Sequence, residues 1–353
     1  MKSLGKMEKI RLGKTGLMCS RVGFGGIPLQ RISEEEAIAV VRHSLDVGIN
    51  FFDTATNYTT SEERIGKAMK GYPRKDIIIA TKSHVRSPDG VRRDLENSLR
   101  VMEIDCIDLY QFHDVRDGED TELIMKPGGT LDAVKKAQSE GLVKHIGVCA
   151  HRMQAAIPLA KTGEFEVMQF PFNYITNEAK DELIPLCREM DIGFLCMKTL
   201  SGGVLPNAAL GMKFLLDYPD ILPIPGMQSI TEVDENVAFA HSGKMTAAER
   251  DEIERSKAEM GKTFCRRCDY CQPCPAGINI SDIMYSHTIW GRQPMKKIFT
   301  GFFGKQLETV QDCIDCGVCE PRCPFDLSIR EIMAKNYDLY LEKKKEWEAS
   351  QDA

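Results

Sequence analysis

Eight short apolar runs recur between residues 22 and 226, with room for one helix after each. They are Val22–Ile27, Ile49–Thr54, Ile77–Lys82, Ile107–His113, Val143–Cys149, Val167–Asn173, Gly193–Leu200 and Ile221–Gly226. Such near-continuous apolarity marks strands covered on both faces, as in a parallel sheet with helices outside it. The intervening stretches carry helical patterns and start signals: Ser33 with Glu36, Thr231 with Asp234 and Thr246 with Glu249 have capping-box spacing. Eight βα units in about 240 residues match the size and rhythm of a (β/α)8 TIM barrel. A doubly wound open sheet is the rival architecture, but the glycine fingerprint that follows its first strand is missing. Ahead of the first unit, residues 8–20 read as a short hairpin: KIRL, a Gly13–Gly16 turn, then LMCS.

From about Met245 the strand rhythm stops. A charged helix, Ala247–Met260, leads into a region with a helical stretch near Ser281–Trp290 and a Gly/Phe/Lys segment around Thr300–Lys305. Ser328 with Glu331 opens a last amphipathic helix to about Glu348. The expected division is residues 1–245, the barrel, and residues 246–353, a linker helix and a small, mostly helical domain.

That second region holds eight of the chain's 13 cysteines in two tight runs, CRRCDYCQPCP and CIDCGVCEPRCP. The cysteines are Cys265, Cys268, Cys271 and Cys274, then Cys313, Cys316, Cys319 and Cys323. Each run ends in Cys-Pro, and the spacing is that of iron–sulfur ligation in bacterial ferredoxins. Three thiolates two residues apart wrap one face of a cubane, and the fourth points away to another cluster. The expected sets are Cys265, Cys268, Cys271 and Cys323 for one 4Fe–4S cluster, and Cys313, Cys316, Cys319 and Cys274 for the other. The first run has two residues before its last cysteine and the second has three, a departure that touches the pairing more than the cluster type. Zinc is the rival metal, but paired C-x2-C knuckles leave a third and fourth cysteine redundant. A disulfide framework suits small secreted domains, and no secretory signal is present.

The formal net charge is −6 with acids and bases interspersed, so no nucleic-acid footprint is expected, and Lys343–Lys345 sits among glutamates as a solvated helix face. No stretch approaches the roughly 20 apolar residues of a membrane span. A soluble, cytoplasmic protein in a reducing, oxygen-poor setting is the expectation.

Barrel enzymes gather reacting groups at the C-terminal ends of their strands. Here those ends supply Asp53 after GINFF, Tyr58 five residues on, Lys82 after IIIAT and His113 after IDLYQF. An acid, a phenol, an amine and an imidazole suit proton donation to a carbonyl. A lysine cation beside the phenol is expected to lower its pKa, Asp53 to hold the lysine, and His113 to orient the carbonyl oxygen. His84 and His151 also lie near strand ends and fit a polar rim.

At these residues the sequence resembles the aldo-keto reductase family. The stretches GINFFDTATNYTTSEERIGKAMKG, IIIATKSH, IDLYQFHDV and KHIGVCAHR look like its signature segments, and the resemblance covers about residues 8–240. It implies that the hairpin plugs the barrel and that Asp53, Tyr58, Lys82 and His113 form a catalytic tetrad, with Tyr58 as general acid/base. The whole chain is most similar to the subgroup with a C-terminal ferredoxin-like 4Fe–4S domain. The cofactor pocket departs from the family. Where it has a serine–asparagine pair and a glutamine against the nicotinamide amide, this chain has Cys149, Ala150 and Gln169. The stacking aromatic corresponds to Met197, whose thioether still packs on a flat ring. Ser201, Gly202 and Gly203 are expected to offer backbone N–H groups to a pyrophosphate. The lysine and arginine that many members aim at a 2′-phosphate align with Gly226 and Glu232, while Glu235 and Asn236 match the adenine-side pair. Losing both cations and gaining an acid favours NAD(H) over NADP(H).

A nicotinamide gives a hydride, whereas a 4Fe–4S cluster passes single electrons. Three readings follow: a flavin in the altered pocket wired to the clusters, an outside electron donor such as a ferredoxin or flavoprotein, or clusters that brace the substrate mouth. The leading expectation is an oxidoreductase interconverting a small-molecule carbonyl and alcohol. Its rivals are an electron-transfer oxidoreductase with a flavin or other redox group in the barrel, and a redox-sensing nucleotide-binding module without turnover. Cys19, Cys106, Cys149, Cys187 and Cys196 read as small buried hydrophobes, and Met284, Trp290, Phe299, Phe302 and Phe303 as packing around the clusters. The loop Val115–Thr130 is expected to help line the substrate pocket.

Overall fold

Strands only two to nine residues long, with side chains alternating between two apolar environments, build the first part of the molecule. The computed structural model of the chain describes residues 5–116, 118–261, 263–290 and 294–351, and two compact units divide it, Met1–Glu249 and Arg250–Ala353. In the first unit, β1 (Lys9–Arg11) and β2 (Met18–Ser20) pair antiparallel. Eight parallel strands follow: β3 (Phe24–Gly25), β4 (Phe51–Asp53), β5 (Ile78–Ser83), β6 (Ile107–Val115), β7 (Val143–Ala150), β8 (Val167–Pro171), β9 (Gly193–Met197) and β10 (Ile221–Pro223). Each pairs with the next in chain order. The Gly23 N–H donates to Pro223 O at 2.9 Å and the Gly25 N–H to Pro225 O at 2.8 Å, so β3 meets β10 and the sheet curls into the barrel the eight runs predict. Glycine is required at this seam: a Cβ on Gly25 would lie 2.8 Å from Ile224 O.

Strand periodicity of two sorts each strand's residues between interior and exterior. Phe51, Ile78, Ala80, Leu109, Val167, Leu195 and Leu222 fill the interior together with Ile10, Leu12 and Cys19 of the hairpin. Phe52, Ile79, Tyr110, Phe112, Met168 and Phe194 face the helices instead. The hairpin is held against β9. Arg11 reaches both oxygens of Asp191 at 2.8 Å, the Lys14 N–H donates to Asp191 O at 2.6 Å, and a Cβ on Gly193 would lie 2.7 Å from Leu12 Cγ.

The Ser33–Glu36 capping box is present at the helix Glu34–Asp46, and Thr246 and Glu249 bond reciprocally at 2.7 and 3.3 Å. The helix after β10 starts earlier than Thr231 and Asp234 predict. It runs Ile230–Ala240, and Ser229 caps it by accepting from the Glu232 N–H at 3.2 Å. The segment read as a loop at Val115–Thr130 contains a helix, Gly118–Met125; its Asp117 lies outside the described residues.

The second unit is helical among its described residues. Helices Ile280–Tyr285, Met295–Thr300, Phe302–Glu308 and Ile329–Gln351 surround a core of Ile283, Met284, Ile298, Leu307, Met333 and Tyr340. Four of the five residues expected to pack around the clusters, Met284, Trp290, Phe299 and Phe303, belong to the apolar cluster that also holds Cys271 and five more of the cysteines in the two runs. Phe299 packs on Trp290, Tyr340 and Trp347 at ring separations of 6.0, 5.6 and 5.1 Å, and Phe302 is exposed. Of the five residues named, only Met284 lines a cysteine-walled cavity. No described helix is long and apolar enough to cross a membrane.

Leu12 is fully buried, so Leu12→Ala should cost about 2–5 kcal/mol of barrel stability, measured by urea denaturation. A loss well under 1 kcal/mol would show that the hairpin does not seal the barrel.

Candidate functional site

The interior layer nearest the C-terminal ends of the strands is polar. On β4, Phe51 is followed two residues on by Asp53. On β5, Ile78 and Ala80 lead to Lys82; on β6, Leu109 leads to Gln111 and His113; on β8, Val167 leads to Gln169. The same alternation that fills the interior with aliphatic groups thus aims these residues at one point. Register does the rest, setting Lys82 beside Gln111 and Asp53 beside Ala80 on neighbouring strands.

At the centre Lys82 Nζ donates to Asp53 Oδ2 at 2.6 Å and to Thr54 O at 2.7 Å. Gln111 Nε2 donates to Asp53 Oδ1 at 3.3 Å and Gln169 Nε2 to Asp53 Oδ2 at 3.4 Å. Lys82 is 1 % exposed and Asp53 3 %. Burial opposes the lysine charge, but the Asp53 carboxylate outweighs it and holds the Lys82 pKa above its usual value. The Tyr58 ring lies with its centroid 5.1 Å from Lys82 Nζ and edge-on to His113 at 5.9 Å. The four strand-end residues therefore meet.

Two electrostatic details differ from a reading of neighbours alone. The Tyr58 hydroxyl is pushed up to about 12, because burial outweighs the lowering by Lys82; the expected net lowering is overturned. Burial, with Lys82, His84, His151 and Arg86 nearby, drives His113 well below its usual pKa, so its imidazole is neutral at pH 7. Arg86 Nη2 donates to His113 O at 2.7 Å and Nε to Asp120 at 3.1 Å.

One residue escapes the sequence reading. Gln111 is fully buried against Asp53, and its signal is a glutamine two positions before His113, on the same strand face. His84, two positions after Lys82, is exposed as a polar rim residue would be, and its ring stacks on His113 at 3.9 Å. His151 lies 3.7 Å from Asp114.

The residues expected to hold a dinucleotide divide. Gln169 Oε1 and Asn236 Oδ1 are buried with no hydrogen-bond partner, and such oxygens fit acceptance from the carboxamide and amine N–H groups of a dinucleotide. Met197 sits at the end of β9, 4.0 Å from the Cys149 sulfur, and burial pushes the Cys149 thiol up to about 12, so it is no thiolate. The Ser201 and Gly203 N–H groups already donate to Lys198 O and Leu200 O at 2.9 and 2.8 Å. The turn uses them itself, which corrects the expectation that they face a pyrophosphate. Glu232 accepts from the Gln228 N–H at 2.6 Å as part of its helix cap, Glu235 is exposed, and Gly226 forms the barrel seam with Gly25.

In the second unit the eight cysteines line two cavities. One is walled by Cys265, Cys268, Cys271 and Cys323 with Met284, Leu327 and Ile329. The other is walled by Cys274, Cys313, Cys316 and Cys319, with Cys271 also touching it. Among the described residues no group of three or more His, Cys, Asp or Glu side chains is gathered to hold a single metal ion. Four sulfurs around an apolar cavity suit a multi-iron cluster better than one tetrahedral ion.

Comparison with known proteins agrees with both halves. The model of the Aldo/keto reductase family matches residues 21–212, and that of a 4Fe-4S dicluster domain matches residues 264–328. An L-galactose dehydrogenase from Arabidopsis thaliana is 28% identical over 283 residues, covering 66% of this chain and 88% of the relative. An aldo-keto reductase from Bacillus halodurans in its holo form superimposes with a TM-score of 0.63 at 25% identity, covering 71% of this chain and 96% of that one. A Klebsiella pneumoniae aldo/keto reductase in complex with NADP and acetate shares the fold, with a TM-score of 0.60 at 21% identity, over 71% of this chain and 95% of that one.

Removing the cation by Lys82→Met leaves the Asp53 carboxylate buried without its partner, at an expected cost of about 3–5 kcal/mol. Urea denaturation reads the loss, and adding Asp53→Asn should recover most of it. Equal stability of the single and double variants would mean that the pair is not coupled.

Proposed function

The chain belongs to the aldo/keto reductase family and is an oxidoreductase with a C-terminal 4Fe-4S dicluster domain, and we propose that it interconverts a small carbonyl compound and its alcohol with a nicotinamide cofactor. The observation that carries this reading is the buried Lys82–Asp53 pair directly beside Tyr58 and a neutral His113. A nicotinamide cofactor, which Gln169 and Asn236 would help to hold, would supply a hydride for the carbonyl carbon. Tyr58 gives its proton to the carbonyl oxygen, and the charge left on the phenolate is stabilised by Lys82, itself held by Asp53. His113, neutral because it is buried beside Lys82, orients the oxygen by hydrogen bonding without competing as a proton donor. The alcohol-to-carbonyl direction runs the same proton back to Tyr58.

NAD(H) is the proposed cofactor ahead of NADP(H). The support is the resemblance: Gly226 and Glu232 align with the lysine and arginine that many family members aim at a 2′-phosphate, so two cations are lost and an acid is gained. Ligation is proposed as two 4Fe–4S clusters, one on Cys265, Cys268, Cys271 and Cys323 and the other on Cys274, Cys313, Cys316 and Cys319. The walls of the two cavities support this division, since each contains one of these sets. Single electrons would be exchanged with a separate carrier protein.

Tyr58→Phe should lower the rate of carbonyl reduction about 10²–10⁴-fold in protein with unchanged iron content; full activity would refute the proton-donor role. Because Tyr58 stays protonated up to about 12, reduction should show no alkaline fall below about pH 10, where a lysine-lowered phenol would show one. Anaerobic purification with iron, sulfide and bound-cofactor analysis should find two clusters and tighter binding of NADH than of NADPH. A flavin band beyond the cluster absorbance would replace the nicotinamide reading.

A further inference from the structure

Arg330 lines the cavity of Cys274, Cys313, Cys316 and Cys319 and is gripped from outside it. Nη1 donates to Asp315 Oδ1 at 2.7 Å and Nη2 to Glu320 Oε2 at 2.7 Å. These two bonds fix the plane of the guanidinium and leave Nε over. The guanidinium as a whole is partly exposed, but the Nε atom is shielded from solvent and has no acceptor. The guanidinium also lies against the cysteine loop, since a Cβ on Gly317 would be 3.7 Å from Arg330 Cζ. In a cavity walled by sulfur, the acceptor chemistry on offer is a thiolate or an inorganic sulfide.

The other cavity is built differently. Its lining charges, Arg266 and Asp269, are of opposite sign, and the Arg266 guanidinium lies over the Phe325 ring at 3.6 Å. Both cavities have a buried apolar wall, with Met284, Ile329 and Leu327 in this one, Ile278 and Met333 in the Arg330 cavity and Ile280 in both, but only the Arg330 cavity has an exposed cysteine, Cys316, and an exposed Ile314 at 66 %. Hydrogen bonds to cluster sulfur and access to solvent both stabilise an added electron and raise the reduction potential. We propose that Arg330 donates its Nε–H to the cluster held by Cys274, Cys313, Cys316 and Cys319 and makes it the higher-potential, solvent-facing cluster of the two.

This inference rests on the two-cluster reading. A cluster held beside Arg330 would exchange one electron at a time with a one-electron carrier protein, the carrier being reduced as the cluster is oxidised.

The test is a dithionite redox titration of the full chain, purified without oxygen and followed by electron paramagnetic resonance. The wild type should give two resolved midpoints. Arg330→Gln should lower the upper one by about tenfold in the electron-distribution constant, ~59 mV for a one-electron couple, and leave the lower one in place. Arg330→Lys keeps the charge but has no Nε–H, and should lower the same midpoint; it also serves if the glutamine variant loses its cluster. An upper midpoint unmoved in either loaded variant, or two midpoints that move together, would overturn the role of Arg330. Iron content too low for two 4Fe–4S clusters would instead sink the two-cluster reading beneath it.

Discussion

An ammonium and a carboxylate buried side by side inside the barrel set the terms for everything around them. Removing two charges from water costs several kcal/mol each, and their attraction repays this only with good geometry and further hydrogen bonds. Here Lys82 and Asp53 meet at 2.6 Å, Thr54 O takes a second lysine proton, and Gln111 and Gln169 serve the two carboxylate oxygens. The two glutamines come from two further strands, β6 and β8, so the arrangement exists only when the barrel is closed. The glycine seam at Gly25 and the hairpin seated on Gly193 are therefore conditions for the site as well as for the fold.

That same burial decides the protonation states that matter. Tyr58 beside a cation would be a stronger acid in water, yet the loss of solvent is the larger effect and the phenol keeps its proton. His113 loses its charge for the same reason, helped by Lys82 and the imidazoles of His84 and His151. A proton donor that is fully protonated and a neighbour that is fully neutral divide the labour cleanly between donation and orientation.

The cysteine unit follows another logic. Its cysteines lie in loops, and its packed core of Ile283, Met333 and Tyr340 gives those loops a common base. The long helix Ile329–Gln351 contributes Ile329 to the wall of one cavity and Arg330 and Met333 to the other. Adjacent residues on that helix thus differ in what they bring to the two sulfur-lined sites: the aliphatic Ile329 to one and the clamped guanidinium of Arg330 to the other. The repeated cysteine spacing does not reveal this asymmetry.

The sequence by itself determined the eight-strand rhythm, the hairpin ahead of it, the strand-end positions of Asp53, Tyr58, Lys82 and His113, and the presence of a 4Fe-4S domain. Each of these is written in local periodicity or in fixed spacing. Only the tertiary structure decided that Gln111 braces Asp53, that His84 stacks on His113, that the Ser201 and Gly203 amides are consumed by their own turn, and that Arg330 keeps one N–H in reserve. It also reversed the expected acidity of Tyr58. The reason is common to all of them: solvent exclusion and hydrogen-bond partnership depend on residues distant in the chain, and neither exists until the strands and loops that carry them are packed together.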